Sequence, residues 1–584
     1  MTQFFKIFFA SLLALIVFGF LSVFVIFGVA GSMASKAKPE VAQKSVLVLD
    51  LSEGFSEQKQ PLDPISALAT DKPSLPGLYD VVRLLETARN DKKIAGVYLK
   101  ANGNANSFAA SNELRHALLQ FKTSGKPIVA YGDVMSQGAY FVASTANQVF
   151  LNPVGQLDWS GYNVDLVFFK NMLDRLEIQP QIFYAGKFKS ATEPFRTTQM
   201  TPENREQTVE WLGDLYQFFL GATARDRKMD TAKLHQLAQT AAIQKPEDAV
   251  AAGLIDGLKY DDEIKSLWKS RLKLGETDKL NFVSINTYAE AADFKRSGKD
   301  RIAVVFASGN IVDGEGGDSD IGGDKFQALL RRLRMDRSVK AIVLRVNSGG
   351  GSALASEKIW RELSLTKGRK PVVVSFGDVA ASGGYYIGCV ADSIFAHPNT
   401  ITGSIGVFTL IPNMEGFFKS KLGVTFDGVK TANHAGGGSV VRPLTETEQK
   451  VVQASVDRIY AQFKDRVAKG RKKDVAYIDS IAQGRVWSGA DALRLGLVDR
   501  MGNLQDAIDC AARLAKTSNY RLREYPEQEN WINQLLKRET ETEPVARIRE
   551  QIGAENFTVF QQMISIRQMC NVPQARLPFT FVSR

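Results

Sequence analysis

The chain repeats itself, and that repeat limits the architectures open to it. Positions 131–140 read Y-G-D-V-M-S-Q-G-A-Y, and positions 376–385 read F-G-D-V-A-A-S-G-G-Y. Asp133 maps to Asp378, Gly138 to Gly383 and Tyr140 to Tyr385, an offset of 245. The same offset carries Asp91 to Asp336, Ala110 to Ala355 and Pro153 to Pro398. Further along, A-A-G-L-I-D-G at 251–257 is echoed by R-L-G-L-V-D-R at 494–500, with the offset now 243. A period this long, kept over this distance, predicts two homologous domains at roughly 46–295 and 300–520. A chain of 584 residues is in any case too long for one ordinary core.

Each copy alternates strand and helix patterns, which predicts a parallel-type α/β domain. I-A-G-V-Y-L-K (94–100) and A-I-V-L-R-V (341–346) read as buried strands, as do P-I-V-A-Y-G (127–132) and P-V-V-V-S-F-G (371–377). Helical patterns follow at 111–124 and 355–368. A long helix is expected to open at Thr445, where Glu448 completes a capping box, and its counterpart at Thr201 with Pro202 in the first turn.

The flanks differ from the repeats. Ile7 to Val29 holds no charged residue and is long enough to cross a ~30 Å hydrocarbon core, so it is expected to be a transmembrane anchor. It is longer than the apolar part of a cleavable signal peptide, although Ala30, Gly31 and Ser32 are small enough to suit cleavage. Lysines on both sides of the run leave its orientation open by charge alone. Residues 1–6 form a short tail, 30–45 a polar linker, and 521–584 an extension matching neither copy, expected to pack on the body. The net charge of +10 is spread without a dense basic block, which fits a solvated surface and no nucleic-acid partner. Cys389, Cys510 and Cys570 give neither a disulfide framework nor metal-ligand spacing.

Two glycine-rich turns carry the candidate chemistry. V-N-S-G-G-G-S (346–352) joins a strand to a helix and can turn bare N–H groups toward a negative oxygen, though a plain tight turn has the same pattern. In A-A-S-G-G-Y-Y (380–386), Ser382 follows a strand and precedes two glycines, which exposes its hydroxyl and leaves the Gly383 N–H for an oxyanion. Alone, Ser382 reads more readily as a helix cap than as a catalyst, and only the pairing with 348–351 makes the two readings even; but its counterpart in copy one is Gln137, so only copy two offers a nucleophile. A serine nucleophile needs a base, and none of the four histidines falls in a triad motif. A lysine serves if burial or a neighbouring positive charge brings its pKa toward neutrality, but composition does not choose which one.

These residues resemble the signal peptide peptidase A family in its long, tandem-repeat form (protease IV), a ClpP/crotonase-like serine peptidase family. The likeness rests on G-D-V-A-A-S-G-G-Y-Y (377–386), T-G-S-I-G-V (402–407), G-R-V-W-S-G-A-D-A-L (484–493) and, in copy one, G-K-F-K-S-A-T-E-P-F (186–195). It covers nearly all of residues 46–520 and the anchor. It implies two tandem ClpP/crotonase-like domains after one transmembrane helix. It also implies a Ser–Lys dyad split between the copies, with Ser382 as nucleophile and Lys189 as general base. Ser404 would orient the lysine, Gly350 and Gly383 would supply oxyanion N–H groups, and the charge of Lys187 would help lower the Lys189 pKa. No cofactor and no metal are implied. The implied substrates are hydrophobic peptides, chiefly cleaved signal peptides. The implied setting is the bacterial inner membrane, with an extracytoplasmic (periplasmic) body assembled as a homotetramer. One departure stands out: Gly349 replaces the proline of the family's S-P-G-G, which predicts a more flexible loop. The acidic loop 313–323 is expected to border the cleft as a flexible segment, its spacing being wrong for an EF-hand.

Two other readings share some of these features. A crotonase-like acyl-CoA enzyme would share the fold and the oxyanion logic, but needs neither an anchor nor a dyad split across repeats. A non-catalytic membrane scaffold would fit the loss of serine at Gln137, but not the retention of Ser382 and Lys189.

Overall fold

A computed structural model describes residues 2–34, 38–59, 75–527 and 573–577. The strands of copy one are β1 (Ser45–Asp50), β2 (Ile94–Lys100), β3 (Ile128–Met135), β4 (Gln148–Leu157), β5 (Gln179–Ala185), β6 (Gly257–Leu258) and β7 (Phe282–Ser284). Those of copy two are β8 (Asp300–Ser308), β9 (Asn310–Val312), β10 (Asp320–Gly322), β11 (Val339–Ser348), β12 (Gly350–Ser352), β13 (Val372–Ala381), β14 (Ser393–Ala396), β15 (Ile401–Gly403), β16 (Val407–Asn413), β17 (Val486–Ser488) and β18 (Arg500–Met501). Two more follow, β19 (Tyr520–Tyr525) and β20 (Gln574–Arg576).

Each repeat builds a mainly parallel sheet, β6-β4-β3-β2-β1-β7 in copy one and β17-β15-β13-β11-β8-β19 in copy two, with β14 beside β13 and β18 beside β14. The central strands are buried on both faces because helices cover them, which is why Ile342–Val346 reads as an unbroken apolar run apart from Arg345. The covering helices include Phe108–Lys122 and Ala353–Lys367, near the expected spans. The expected capping box at Thr445 opens the helix Glu446–Arg471, and Thr201 caps Pro202–Arg227 with Pro202 in the first turn.

A third sheet, β10-β9-β12-β20-β16-β5, draws on both repeats and on the C-terminal extension. In it β5 of copy one pairs antiparallel with β16 of copy two over seven residues. Period-2 patterning within one repeat cannot report such an exchange, since the partner edge lies in the other copy. The flanks also differ in detail from the sequence expectation. The apolar helix spans Thr2–Ala34, running into the stretch read as linker. Its 19-residue part Gln3–Leu21 is unburied and long and apolar enough to cross a membrane. Strand β19 joins the copy-two sheet beside β8, so that sheet continues past residue 520. The extension also carries an apolar cluster in sequence, F-T-V-F at 557–560, which lies outside the described residues.

The two copies meet through a buried charge cluster. The Arg345 guanidinium on β11 donates to Glu113 (2.6 Å) and Glu57 (2.8 Å) of copy one and to the Ser375 hydroxyl (2.9 Å). His397 Nε2 lies 2.9 Å from Glu113 as well. Asp378, on the strand that leads to Ser382, accepts from the Ser107 hydroxyl and from the Ala109 N–H (2.8 Å) at the start of a copy-one helix.

Candidate active site

Strand β13 ends at Ala381, and the chain turns at once into the helix Gly383–Gly388. Ser382 sits at that junction with φ 54° and ψ −114°, a backbone state that an L-residue occupies only under strain. The two glycines after it are needed for contact. A Cβ on Gly384 would collide with the Ser348 carbonyl, and one on Gly383 would lie 2.8 Å from the Ser356 hydroxyl. The helix start is thereby pressed onto the Gly349–Gly351 turn. Copy one lacks this compression: an ideal Cβ on Gly138 meets nothing nearer than 3.8 Å. There Gln137 exchanges two 2.9 Å hydrogen bonds with the Gly161 backbone, and the Asn104 side chain donates to the Gly138 carbonyl, so side chains fill the place of a site.

Lys189 of copy one comes to Ser382 of copy two. Its Nζ donates to Ser382 Oγ at 2.9 Å, to Ser404 Oγ at 3.0 Å and to the Ser404 carbonyl at 3.1 Å. Ser382 is 0% exposed and Lys189 1%, so neither group meets bulk water. Burial alone brings the Lys189 ammonium down to about 7, because a charged amine loses its hydration there. The expected help from Lys187 is not what lowers it. Lys187 is exposed, with its Nζ 5.0 Å from the Phe188 ring centroid, because the chain bends at Gly186 (φ 102°) rather than running extended through 187–189. Ser404, with φ 50°, is held by its N–H to the Arg485 carbonyl (2.6 Å).

The G-R-V-W motif positions Lys189, a role that its letters do not disclose. Gly484 (φ 77°) packs so closely that a Cβ there would stand 2.6 Å from the Lys189 backbone nitrogen. Phe188 N–H donates to Gln483 O (2.8 Å), and Gly484 N–H donates to Ile405 O (2.8 Å), tying the two motifs to the Ser404 turn. The Arg485 guanidinium stacks on Phe188 and Trp487, and Gln207 donates to the Phe188 carbonyl while accepting from the Val486 N–H.

The glycine turn has a definite shape. Gly350 has φ 98°, and its N–H donates to Ser348 Oγ at 3.1 Å, while that hydroxyl donates to Gly309 O at 2.6 Å. The Gly350 amide therefore already has a partner within its own loop. Gly349, where the family has proline, accepts the Leu577 N–H at 2.9 Å. The acidic loop is not loose throughout: Asp320–Gly322 forms β10 against β9, and Asp313 and Asp320 line a cavity with Gly351 and Ser352.

Comparison with known proteins shows which sequences this chain resembles. The profile of peptidase family S49 matches residues 120–274 and again 364–518, one match in each repeat. Protease 4 of Salmonella typhi is 34% identical over 525 residues, covering 87% of this chain and 84% of that protein. Protease 4 of Haemophilus influenzae is 35% identical over 505 residues, 83% of this chain and 81% of that protein. Among solved structures, the ClpP1 N165D mutant from Listeria monocytogenes is similar at 16% identity and a TM-score of 0.24, over 35% of this chain and 94% of that one.

Proposed function

The chain belongs to peptidase family S49 and is a serine peptidase, and from that premise we propose that Ser382 and Lys189 form its catalytic dyad, one residue from each repeat. The 2.9 Å approach of a buried, partly neutral lysine to a strained serine carries the proposal. Neutral Lys189 takes the proton of Ser382 Oγ, and the oxygen attacks a peptide carbonyl. Ser404 holds the amine on line through its hydroxyl and carbonyl. The Gly383 N–H is one donor to the tetrahedral oxyanion. The second proposed donor is the Gly350 N–H of the 349–351 turn, which here rests on Ser348 Oγ at 3.1 Å. Lys189 then protonates the leaving amine, and the same lysine activates the water that releases the acyl group.

The domain division that goes with this is 46–295 for the repeat supplying lysine and 300–520 for the repeat supplying serine. The apolar helix anchors the body to a membrane, where cleaved signal peptides and other hydrophobic peptides concentrate. The apolar helix and the bacterial relatives named Protease 4 fit a membrane-anchored protein; a bacterial inner-membrane setting, a body on the periplasmic side and a homotetrameric assembly complete the proposal.

The test is to incubate the detergent-solubilised full chain with a synthetic signal peptide and follow fragments by mass spectrometry, with Ser382→Ala as control. Fragments from the parent alone support the reading. Equal fragments from both chains would remove Ser382 from the chemistry.

A further inference from the structure

Lys189 lies in no sheet or helix of its own. With φ −73° and ψ 71° it stands at the centre of an inverse γ-turn, closed by the Ser190 N–H on the Phe188 carbonyl (2.7 Å). Both ends of that turn are held by one side chain of the helix Pro202–Arg227. Gln207, 1% exposed, donates through Nε2 to the Phe188 carbonyl (3.2 Å) and to Ser190 Oγ (3.0 Å). Its Oε1 accepts the Val486 N–H at 3.0 Å. Val486 lies on β17 opposite Gly403 of β15, and the Gly403 carbonyl accepts the Ser382 N–H at 2.8 Å. One amide therefore links the turn that carries the base to the strands that hold the nucleophile's backbone. An amide suits the place because it donates and accepts at once; a carboxylate has no hydrogen for the Phe188 carbonyl.

Asn204 supports the amide from behind. Its Oδ1 accepts from Gln207 Nε2 (3.2 Å), and its Nδ2 donates to the buried Glu193 carboxylate (2.8 Å), which also takes the Thr201 hydroxyl (2.6 Å). The charged groups nearby pair with one another, Arg485 with Glu206 and Glu210, and Arg196 with Glu193. The repeat separates this arrangement from ordinary helix packing. The two helix caps, Thr201 and Thr445, set an offset of 244, which takes Gln207 to Val451, a residue 65% exposed. The same offset takes Lys189 to Asn433. The copy without the lysine thus also lacks the amide.

We propose that Gln207 is a positioning residue for the reaction: by pinning both ends of the turn and the Val486 N–H, it sets how far the Lys189 amine reaches toward Ser382. This rests on the dyad reading of the site. With the amide gone the turn relaxes, the amine withdraws from Ser382 Oγ, and water reaches it.

The test measures kcat and KM on an internally quenched hydrophobic peptide across the pH range in which Lys189 titrates. The full-length chain in detergent is compared with Gln207→Met, Gln207→Glu and Phe219→Leu. Phe219, fully buried on the same helix, packs in the core of copy one, so its variant is a control for stability alone. Gln207→Met is expected to lower the high-pH plateau of kcat by about tenfold or more, with KM changed by less than about twofold. Its rising limb should move up by about one pH unit, because hydration favours the ammonium. Gln207→Glu keeps the acceptor for Val486, should show the same two changes, and decides the question if the methionine chain does not fold. A negative charge alone would move the limb and leave the plateau. Phe219→Leu should melt earlier yet keep the parent's plateau and limb. A Gln207 variant that keeps the parent's plateau, or loses kcat with the limb unmoved, overturns the proposal. If the parent has no limb near 7, or Lys189→Met stays active, the dyad reading fails and takes this one with it. If the dyad passes while the Gln207 variants match the parent, the positioning role alone fails.

Discussion

A lysine held neutral in the fold has two consequences with pH, and both favour higher pH. Burial pushes the Lys189 amine down from its ordinary 10.5 to about 7. The base form is required, so kcat/KM should rise through an apparent pKa near 7 as pH increases. Stability follows the same proton. Between 7 and 10.5 the unfolded chain holds a proton that the folded chain lacks, so the penalty of burying Lys189 is full below about 7 and gone above 10.5. Lys189→Met should therefore raise stability by several kcal/mol at about pH 6, by order of magnitude, with the gain fading toward pH 10.5. Denaturant titrations at several pH values check this; a gain independent of pH would mean that the amine is not held neutral.

At the scale of elements, tight backbone approaches set the dyad more than side-chain bonds do. Gly484→Ala pushes on the Lys189 backbone, and at φ 77° the alanine is itself strained. It should lower kcat by at least about tenfold, since a misplacement of ~1 Å in a reacting group can cost about 100-fold. The melting temperature should fall by only a few degrees, so kcat and thermal denaturation measured together separate displacement from unfolding. The strands, helices and caps around this motif were legible because their signals are local: apolar runs, T-E-T-E, Thr-Pro, and a serine present in one repeat and absent in the other. The role of Gly484 was not legible, because its contact lies in the other copy. The same holds for the β5–β16 pairing and for β20, whose short polar stretch Q-A-R becomes a strand only where two edges await it. Ser382 and Gln137 could be told apart from the repeat itself. Lys189 came from family likeness and not from spacing, and burial, the cause of its shift, has no signature in G-K-F-K.

Over the whole molecule, the two repeats are joined by both the dyad and the Arg345 cluster. Replacing Arg345 with Met leaves Glu113 and Glu57 buried without their cation. Breaking a buried pair in this way costs about 3–5 kcal/mol, so Arg345→Met should be strongly destabilised at neutral pH. The loss should shrink toward acid pH, as the stranded carboxylates protonate. Urea unfolding at about pH 7 and pH 4.5 checks the sign; a loss that grows on acidification would contradict it. The dyad depends on this junction, since Ser382 and Lys189 share no repeat. The most direct test compares kcat/KM on an internally quenched hydrophobic peptide for the full chain, Ser382→Ala and Lys189→Met, each confirmed folded. Both variants are predicted to fall by at least about 1,000-fold, toward background; a Lys189→Met chain that keeps a tenth or more of the parent's rate would contradict the split dyad.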